Sequence, residues 1–316
     1  MRRMALEMVH QLARDNPRVV FVGSDLGSGT LAAMQREMPE RFFMEGVSEQ
    51  NLIGVAAGLA LEGYIPYVNT IATFLTRRCL EQVCVDLCLH KLPVRLIANG
   101  GGMVYAPLGP THTATEDLAL MRALPNMTVT APCDALEMKS LMAASIHWPG
   151  PLYIRLAKGG DALVSPPEPA LEIGRAVTLR EGKQVGLLTT GIMAQRALQT
   201  ADLLADQGVA CGVLHFHTVK PLDQEALFRL ADDCRLLVTL EEHQRNGGLG
   251  SAVAEVLCDT ALTWSRDGQL PPLLRLSLPE AFPDHYGSQE EHLSHHGLDP
   301  RQIAERVNLA LGRNRR

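Results

Sequence analysis

The chain has 316 residues, of which 46% are hydrophobic and 20% charged, and its formal net charge is -6. This length exceeds what one ordinary core supports, so we expect two domains, and the composition is typical of a globular protein. Basic residues form no stripe, which argues against a nucleic-acid partner, and no apolar stretch is long enough to span a membrane. Seven cysteines without a CxxC motif fit a reducing, cytoplasmic environment.

The first half of the chain alternates between short apolar runs and helical patterns. Six apolar runs predict buried parallel strands, at residues 19–23, 42–44, 65–69, 94–98, 127–131 and 152–155. Between two of these strands, the pattern predicts one long helix over residues 71–90. Repeated strand–helix units specify a parallel sheet with helices on both faces. We therefore expect an α/β domain over residues 1–160.

A proline-rich segment interrupts this alternation. Residues 166–169 read Pro-Pro-Glu-Pro, which excludes a helix and predicts a linker over residues 161–183. A second series of strands and helices follows over residues 184–316. The predicted fold class is therefore α/β, with two domains that each contain a mostly parallel sheet covered by helices.

One carboxylate stands at the start of an unusual helix. Ser48 fits an N-cap position, so Glu49 falls in the first turn of a helix whose following residues are almost all small or apolar. A carboxylate there complements the helix dipole, is paired, or is kept for chemistry. Spacing alone favours the first of these alternatives.

Five motifs together resemble the thiamine-diphosphate-dependent transketolase family. They are GVSEQN at 46–51, IPYVNTIATFLTR at 65–77, GPTH at 109–112, HTVKPLD at 217–223 and EEHQRNGGLGSA at 241–252. The motifs look like the C-terminal half of that family, namely its pyrimidine-binding domain followed by the transketolase C-terminal domain. The last two motifs are also typical of related E1 beta subunits and deoxyxylulose-phosphate synthases.

The resemblance implies a cofactor role for Glu49 and so reverses the dipole interpretation. In the family, a glutamate at this position hydrogen-bonds N1′ of the aminopyrimidine and favours the imino form that takes the thiazolium proton. Ile71, Phe74 and Arg77 are implied contacts of the cofactor, and Asp25 matches a cofactor-site aspartate. Ile71 replaces a usual aromatic residue, and Arg77 stands where transketolases have tyrosine and deoxyxylulose-phosphate synthases have arginine.

The resemblance also implies a substrate site. His112 of the GPTH motif is expected to face the thiazolium and the substrate oxygens, as the second catalytic residue. Leu108 stands where transketolases have an aspartate that contacts a substrate hydroxyl, so the usual sugar-phosphate stereoselectivity is in question. The expected substrate-binding residues are Arg2, Ser28, Arg155 and Lys158. Because Lys158 replaces the usual arginine, the acceptor anion is left open as phosphate or another group, such as a sulfonate.

A missing motif points to a partner subunit. The family holds the Mg²⁺ of the cofactor's diphosphate with a Gly-Asp-Gly…Asn motif in another domain, and this sequence has no Gly-Asp-Gly. We therefore expect no metal ligands in this chain and a thiamine diphosphate site that is shared with an N-terminal, diphosphate-binding subunit. This chain is also expected to associate with itself, as a homodimer or within an α2β2 heterotetramer.

The implied reaction is transfer of a two-carbon ketol unit from a ketose or its phosphate to an aldehyde acceptor. The alternatives are an E1 beta subunit of a 2-oxo acid dehydrogenase, an enzyme like deoxyxylulose-phosphate synthase, and a non-catalytic scaffold subunit. The GPTH motif argues against an E1 beta subunit, and the presence of Glu49 and His112 argues against a scaffold.

Overall fold

The computed structural model describes residues 1–24, 29–157, 159–167, 171–260 and 270–312. It contains a seven-stranded and a five-stranded sheet, both mostly parallel and flanked by helices, so the predicted fold class is confirmed. The predictions at Asp25, Ser28 and Lys158 lie outside the described residues. Within the described ranges, no helix is long and apolar enough to cross a membrane.

The first part of the chain builds the larger sheet. Its strands are β1 (Val19–Gly23), β2 (Phe42–Met44), β3 (Ile65–Ile71), β4 (Arg95–Asn99), β5 (Thr128–Thr130) and β6 (Leu152–Leu156). Its helices are α1 (Arg2–Asp15), α2 (Ala32–Glu37), α3 (Glu49–Leu61), α4 (Ala72–Thr76), α5 (Leu80–Gln82), α6 (Asp117–Ala123) and α7 (Ala135–Ser145).

Alternating side chains of the strands separate two apolar layers. On β1, Val22 packs into a layer with α3, whereas Phe21 packs into the layer with α1 and α7. Successive strand residues point to opposite faces, so α1 and α3 cover opposite sides of the sheet. The residues that follow β1 and β3 lie together at the carboxyl edge, where ligands of such sheets collect.

The prediction of one long helix over residues 71–90 is wrong. Helix α4 ends at Thr76, whose hydroxyl donates back to the carbonyl of Ala72 at 2.9 Å, a bond that weakens helix continuation. A turn, α5 and a π-helical segment, Val83–Cys88, replace the rest. The break lets two neighbouring arginines, Arg77 and Arg78, reach different partners.

The second part builds the smaller sheet. Its strands are β7 (Val177–Arg180), β8 (Val185–Thr189), β9 (Cys211–His215), β11 (Leu236–Gln244) and β12 (Leu273–Leu278), and β10 (Thr218–Lys220) lies between β9 and β11 in the chain. The helices are α8 (Met193–Ala205), α9 (Gln224–Asp233), α10 (Leu249–Thr260), α11 (Gln289–His295) and α12 (Pro300–Ala310).

Two strands of the second part pair in ways the sequence did not indicate. β7, which falls inside the segment predicted as a linker, pairs antiparallel with β9 as an edge strand. β10, which follows β9 in the chain, pairs antiparallel with β5 and is an edge strand of the larger sheet. Main-chain hydrogen bonds therefore join the two parts of the chain within the larger sheet.

Candidate active site

Glu49 is the first residue of α3 and is 2% exposed. Ser48 occupies the N-cap position, but its hydroxyl donates to the carbonyl of Glu45 at 3.2 Å instead of capping the helix. The Glu49 carboxylate accepts a hydrogen bond from Arg78 Nη1 at 2.6 Å. A buried carboxylate needs such a partner, because removal from water penalises an isolated charge. Glu49 is thus inside the fold and engaged by a planar cation.

Arg78 connects Glu49 to an aromatic ring. Its guanidinium carbon lies 4.3 Å from the centroid of the Phe74 ring, in a cation–π contact. The Phe74 ring also meets the imidazole of His112 in a T-shaped contact, with 5.3 Å between centroids. The predicted residues Glu49, Phe74 and His112 are therefore brought into one continuous group through Arg78.

The His112 loop is held in place by Arg77. Its guanidinium donates to the main-chain carbonyls of Pro110 at 3.3 Å and Thr113 at 2.9 Å, and to the carboxylate of Glu116. The pKa of Glu116 is lowered, because the interaction with Arg77 outweighs the opposing effect of burial. A guanidinium in this position fixes the loop on both sides of the histidine. The structure thus assigns Arg77 a loop-anchoring contact, and its predicted cofactor contact stays a prediction.

The strand ends beside this group are polar and buried. Asn99 donates to the Asn69 side chain at 2.7 Å and to the Thr70 carbonyl at 2.9 Å, and Ser24 donates to the Thr70 hydroxyl at 2.9 Å. Ile71 follows directly and is half-buried at the N-cap of α4. These contacts fix the carboxyl edge of the sheet from which α4 starts.

The expected phosphate-binding residues lie elsewhere. Arg155 is 5% exposed and donates to Asp117 and to two main-chain carbonyls, so its described contacts are all within the protein. Arg2 begins α1, on the face of the larger sheet opposite to α3. The amino group of Met1 lies 3.8 Å from the Asp161 carboxylate, so the N-terminus reaches the segment after β6. Substrate binding by Arg2 and Arg155 stays a prediction.

The glycine-rich turn before α10 holds an internal anion. The Glu241 carboxylate accepts from the main-chain N–H of Leu249 at 2.7 Å and of Gly250 at 2.9 Å. Burial raises the pKa of Glu241 to about 7. Helix N-termini favour negative charge, and here the chain supplies that charge itself.

One buried cluster contains three residue types that can bind a metal ion. Ligand atoms of Cys133, Glu137 and His215 lie within 4.8 Å of one another. The Glu137 carboxylate accepts from the Cys133 main-chain N–H at 2.6 Å and bonds to His215 Nε2 at 3.0 Å. Protein hydrogen bonds therefore engage this carboxylate, and the contact joins α7 to β9.

Sequence reasoning missed Arg78, Glu116 and Asp117. Arg78 follows Phe74 by four residues, a spacing that places two side chains on one helix face, so this contact had a detectable signal. Glu116 and Asp117 follow the GPTH motif, yet their arginine partners are 39 and 38 residues away in the chain. No local pattern identifies such pairs.

Two family profiles cover most of the chain. Residues 1–160 match the transketolase pyrimidine-binding domain, and residues 174–303 match the transketolase C-terminal domain. A putative transketolase C-terminal section from Methanocaldococcus jannaschii is 33% identical and covers 97% of this chain and 95% of its own length. The 1-deoxy-D-xylulose-5-phosphate synthases of a Synechococcus strain and of Trichodesmium erythraeum are each 37% identical over 94% of this chain. The chain spans 45% and 46% of their lengths, respectively.

Solved structures give the same result. A split-gene transketolase, described as an inactive beta4 tetramer, superposes with a TM-score of 0.89 at 36% identity, over 99% of both chains. A transketolase of Pichia stipitis superposes with a TM-score of 0.75 at 19% identity, over 98% of this chain and 45% of that one, and shows the shared fold.

Proposed function

Because this chain belongs to the thiamine-diphosphate-dependent transketolase family, we propose that it is the C-terminal subunit of a split transketolase. It would transfer a two-carbon ketol unit from a ketose or its phosphate to an aldehyde acceptor, as a transferase that works only with a partner. The observation that carries this proposal is the buried Glu49 carboxylate, which is hydrogen-bonded to the Arg78 guanidinium. That guanidinium lies over the Phe74 ring, which in turn contacts His112.

The described residues fit the aminopyrimidine half of the cofactor. Between Glu49 and Phe74 lies a slot wide enough for one planar, hydrogen-bond-donating group, as the guanidinium of Arg78 demonstrates. Thiamine diphosphate, when bound, supplies the carbon nucleophile of the reaction. Glu49 would hold a proton at N1′, Phe74 would hold the ring, and His112 would bind or move protons at substrate oxygens. The Mg²⁺ and its ligands are assigned to the partner subunit.

An exposed apolar surface beside Glu49 supports a partner. Val47 and Leu61 are 69% and 68% exposed, and Gly54 and Gly58 of α3 are exposed with open space around them. Leu89, just after the π-helical segment that packs on α3, is 68% exposed. Clustered apolar exposure of this kind marks protein contacts. A site completed by another subunit at this surface would place the cofactor between chains.

A second candidate is favoured by Arg77 and by the synthase relatives. A 1-deoxy product carries a methyl ketone, so its two-carbon unit lacks the hydroxyl group of a ketol and would come from a 2-oxo acid. Arg77 matches the arginine of these synthases in the resemblance described above, and the synthases named above are 37% identical to the chain. The anion of the acceptor does not distinguish the two reactions, but the donor does.

The test is reconstitution with the diphosphate-binding chain encoded in the same genome. The two purified chains, thiamine diphosphate and Mg²⁺ would be mixed with a ketose phosphate donor or with pyruvate, in each case with an aldose phosphate acceptor. Split transketolase predicts ketose-dependent product without CO₂ release. Pyruvate-dependent CO₂ release would select the synthase-like function, and no turnover with either donor would contradict both enzymatic proposals.

The partner surface is tested separately with Gly58→Glu. Glutamate has a higher helix propensity than glycine, so the isolated chain should stay folded and gain about 0.5 kcal/mol. Assembly with the diphosphate-binding chain, measured by light scattering after gel filtration, should be lost. Leu309→Glu, at an exposed site on α12, is the matched control and should assemble normally. Normal assembly of Gly58→Glu would exclude this surface.

A further inference from the structure

Arg78 contacts the Glu49 carboxylate and the Phe74 ring, the two groups that the proposed function gives to binding of the aminopyrimidine. Its Nη1 donates to Glu49 Oε2 at 2.6 Å, and its guanidinium carbon lies 4.3 Å from the Phe74 ring centroid. A guanidinium is planar and presents N–H donors along its edge. The imino form of an aminopyrimidine is also planar and presents an N–H at N1′. One side chain therefore satisfies the same carboxylate and the same aromatic face.

We propose that Arg78 is an internal ligand of the cofactor site, which withdraws when an aminopyrimidine binds between Glu49 and Phe74. This inference rests on the proposed function for Glu49 and Phe74 and adds a residue that determines cofactor affinity. The carboxylate is almost fully buried and its Oε2 is occupied at a short distance, so two donors compete for one acceptor. The Phe74 ring is likewise contacted by His112.

The fold provides room for this movement. The Arg78 side chain is 43% exposed and lines an open cleft of about 450 Å³ together with Gln50, Glu81 and Gln82. Gln50 Nε2 donates to the Arg78 carbonyl at 3.1 Å, which anchors the main chain while the side chain moves. The cleft contains acceptors for a displaced guanidinium: the exposed Glu81 carboxylate, and the buried Gln82 Oε1, which has no hydrogen-bond partner among the described residues.

An internal ligand lowers the apparent affinity for the external one. The apparent Kd equals the intrinsic Kd divided by the fraction of molecules with Arg78 withdrawn. An open fraction of about one tenth would therefore weaken binding about tenfold. The isolated chain would keep Glu49 neutralised in this way until the cofactor takes over the contact.

The experiment measures binding of 4-amino-2,5-dimethylpyrimidine to the isolated full chain by ligand-observed NMR titration. This probe needs neither the diphosphate-binding chain nor turnover. Arg78→Ala should bind it about tenfold more tightly than the wild type. Arg78→Lys, which keeps the charge but not the planar contact, should be intermediate. Arg229→Ala removes an exposed arginine paired with Glu225 on α9 and should leave the affinity unchanged.

Two further measurements identify the site of competition. Glu49→Gln combined with Arg78→Ala should abolish the gain in affinity, because the contested acceptor is lost. Millimolar ethylguanidinium should weaken probe binding to Arg78→Ala more than binding to the wild type, because the site is free in every molecule of the variant but in only a fraction of the wild type. Circular dichroism and thermal melts establish that each variant is folded, and Arg78→Lys carries the test if Arg78→Ala is not.

The outcomes separate this inference from the proposed function. Equal affinities of wild type and Arg78→Ala would overturn the inference while leaving an aminopyrimidine site in place. Weaker binding by Arg78→Ala would also overturn it, because the guanidinium would then help to bind the ring. Absence of binding by every variant would contradict the aminopyrimidine site itself, and with it both proposals.

Discussion

Arg155 Nε donates to Asp117 Oδ2 at 2.9 Å, and their side chains are 6% and 0% exposed. The same guanidinium donates to the carbonyl of Ala114, in the loop before α6, at 3.1 Å and to that of Glu242, on β11 of the smaller sheet, at 2.8 Å. Tyr153 donates its hydroxyl to the same Asp117 oxygen at 2.8 Å. A residue expected to bind a substrate anion therefore joins the two parts of the molecule.

Arg155→Met is expected to destabilise the fold. Removal of one partner from a buried ion pair leaves the other charge uncompensated, which costs about 3–5 kcal/mol. Urea unfolding followed by circular dichroism gives the change in the free energy of unfolding. Arg3→Ala, which removes an exposed pair with Glu7, should change it by less than about 0.5 kcal/mol. A similarly small effect of Arg155→Met would show that the buried pair is not important for stability.

Arg77→Ala is expected to release the His112 loop. The variant loses the hydrogen bonds to the Pro110 and Thr113 carbonyls and to Glu116, so amide hydrogen exchange over residues 109–116 should accelerate. In the reconstituted enzyme, turnover should fall because His112 is no longer held. Unchanged exchange in this loop would contradict the anchoring role, whereas exchange in α12 should stay as in the wild type.

Glu49→Gln is expected to abolish most activity without unfolding the chain. The amide keeps the shape of the carboxyl group but does not supply its proton chemistry, and general acid–base contributions are typically about 10²–10⁴-fold. Glu45→Gln, an exposed change four residues earlier, is the control and should retain normal turnover. Turnover of Glu49→Gln close to that of the wild type would remove Glu49 from the mechanism.

The contribution of His217 to the stability of the chain should fall as the pH decreases from about 6.5 towards 4. Burial lowers the pKa of His217 from its ordinary value of 6.5 to about 4, and its titratable neighbours are Glu137, His215 and Asp223. Between these pH values the unfolded chain binds more protons than the folded one, so acid favours unfolding. His217 contributes on the order of 3 kcal/mol to the resulting loss of unfolding free energy.

His217→Gln isolates this contribution. The difference in unfolding free energy between pH 7 and pH 4 should be smaller in the variant than in the wild type, measured by urea titration at each pH. Subtraction between the two proteins is necessary because Glu241, whose pKa is raised to about 7 by burial, titrates in the opposite sense. Equal pH dependence in both proteins would mean that His217 is protonated normally in the fold.

Local patterns were sufficient for much of the architecture. Apolar runs identified β1 to β6 because a buried parallel strand needs a continuous apolar segment, whereas the antiparallel strands β7 and β10 were not identified. Asp134 is a residue type that favours the N-cap, and at the start of α7 its carboxylate accepts from the N–H groups of Leu136 and Glu137. The helix over residues 71–90 failed because its interruption depends on a single hydroxyl, that of Thr76, and on contacts far away in the chain. Hydrophobic periodicity does not predict such contacts.

The sequence by itself determined the family and the fold class, because motif order and apolar spacing are properties of the chain. Only the tertiary structure decided that Arg78 lies between Glu49 and Phe74, that Arg77 anchors the His112 loop, and that Arg155 pairs with Asp117. Ion pairs between distant residues depend on where two elements meet in space. Their energy depends on burial, and neither quantity is encoded in a local pattern of residues.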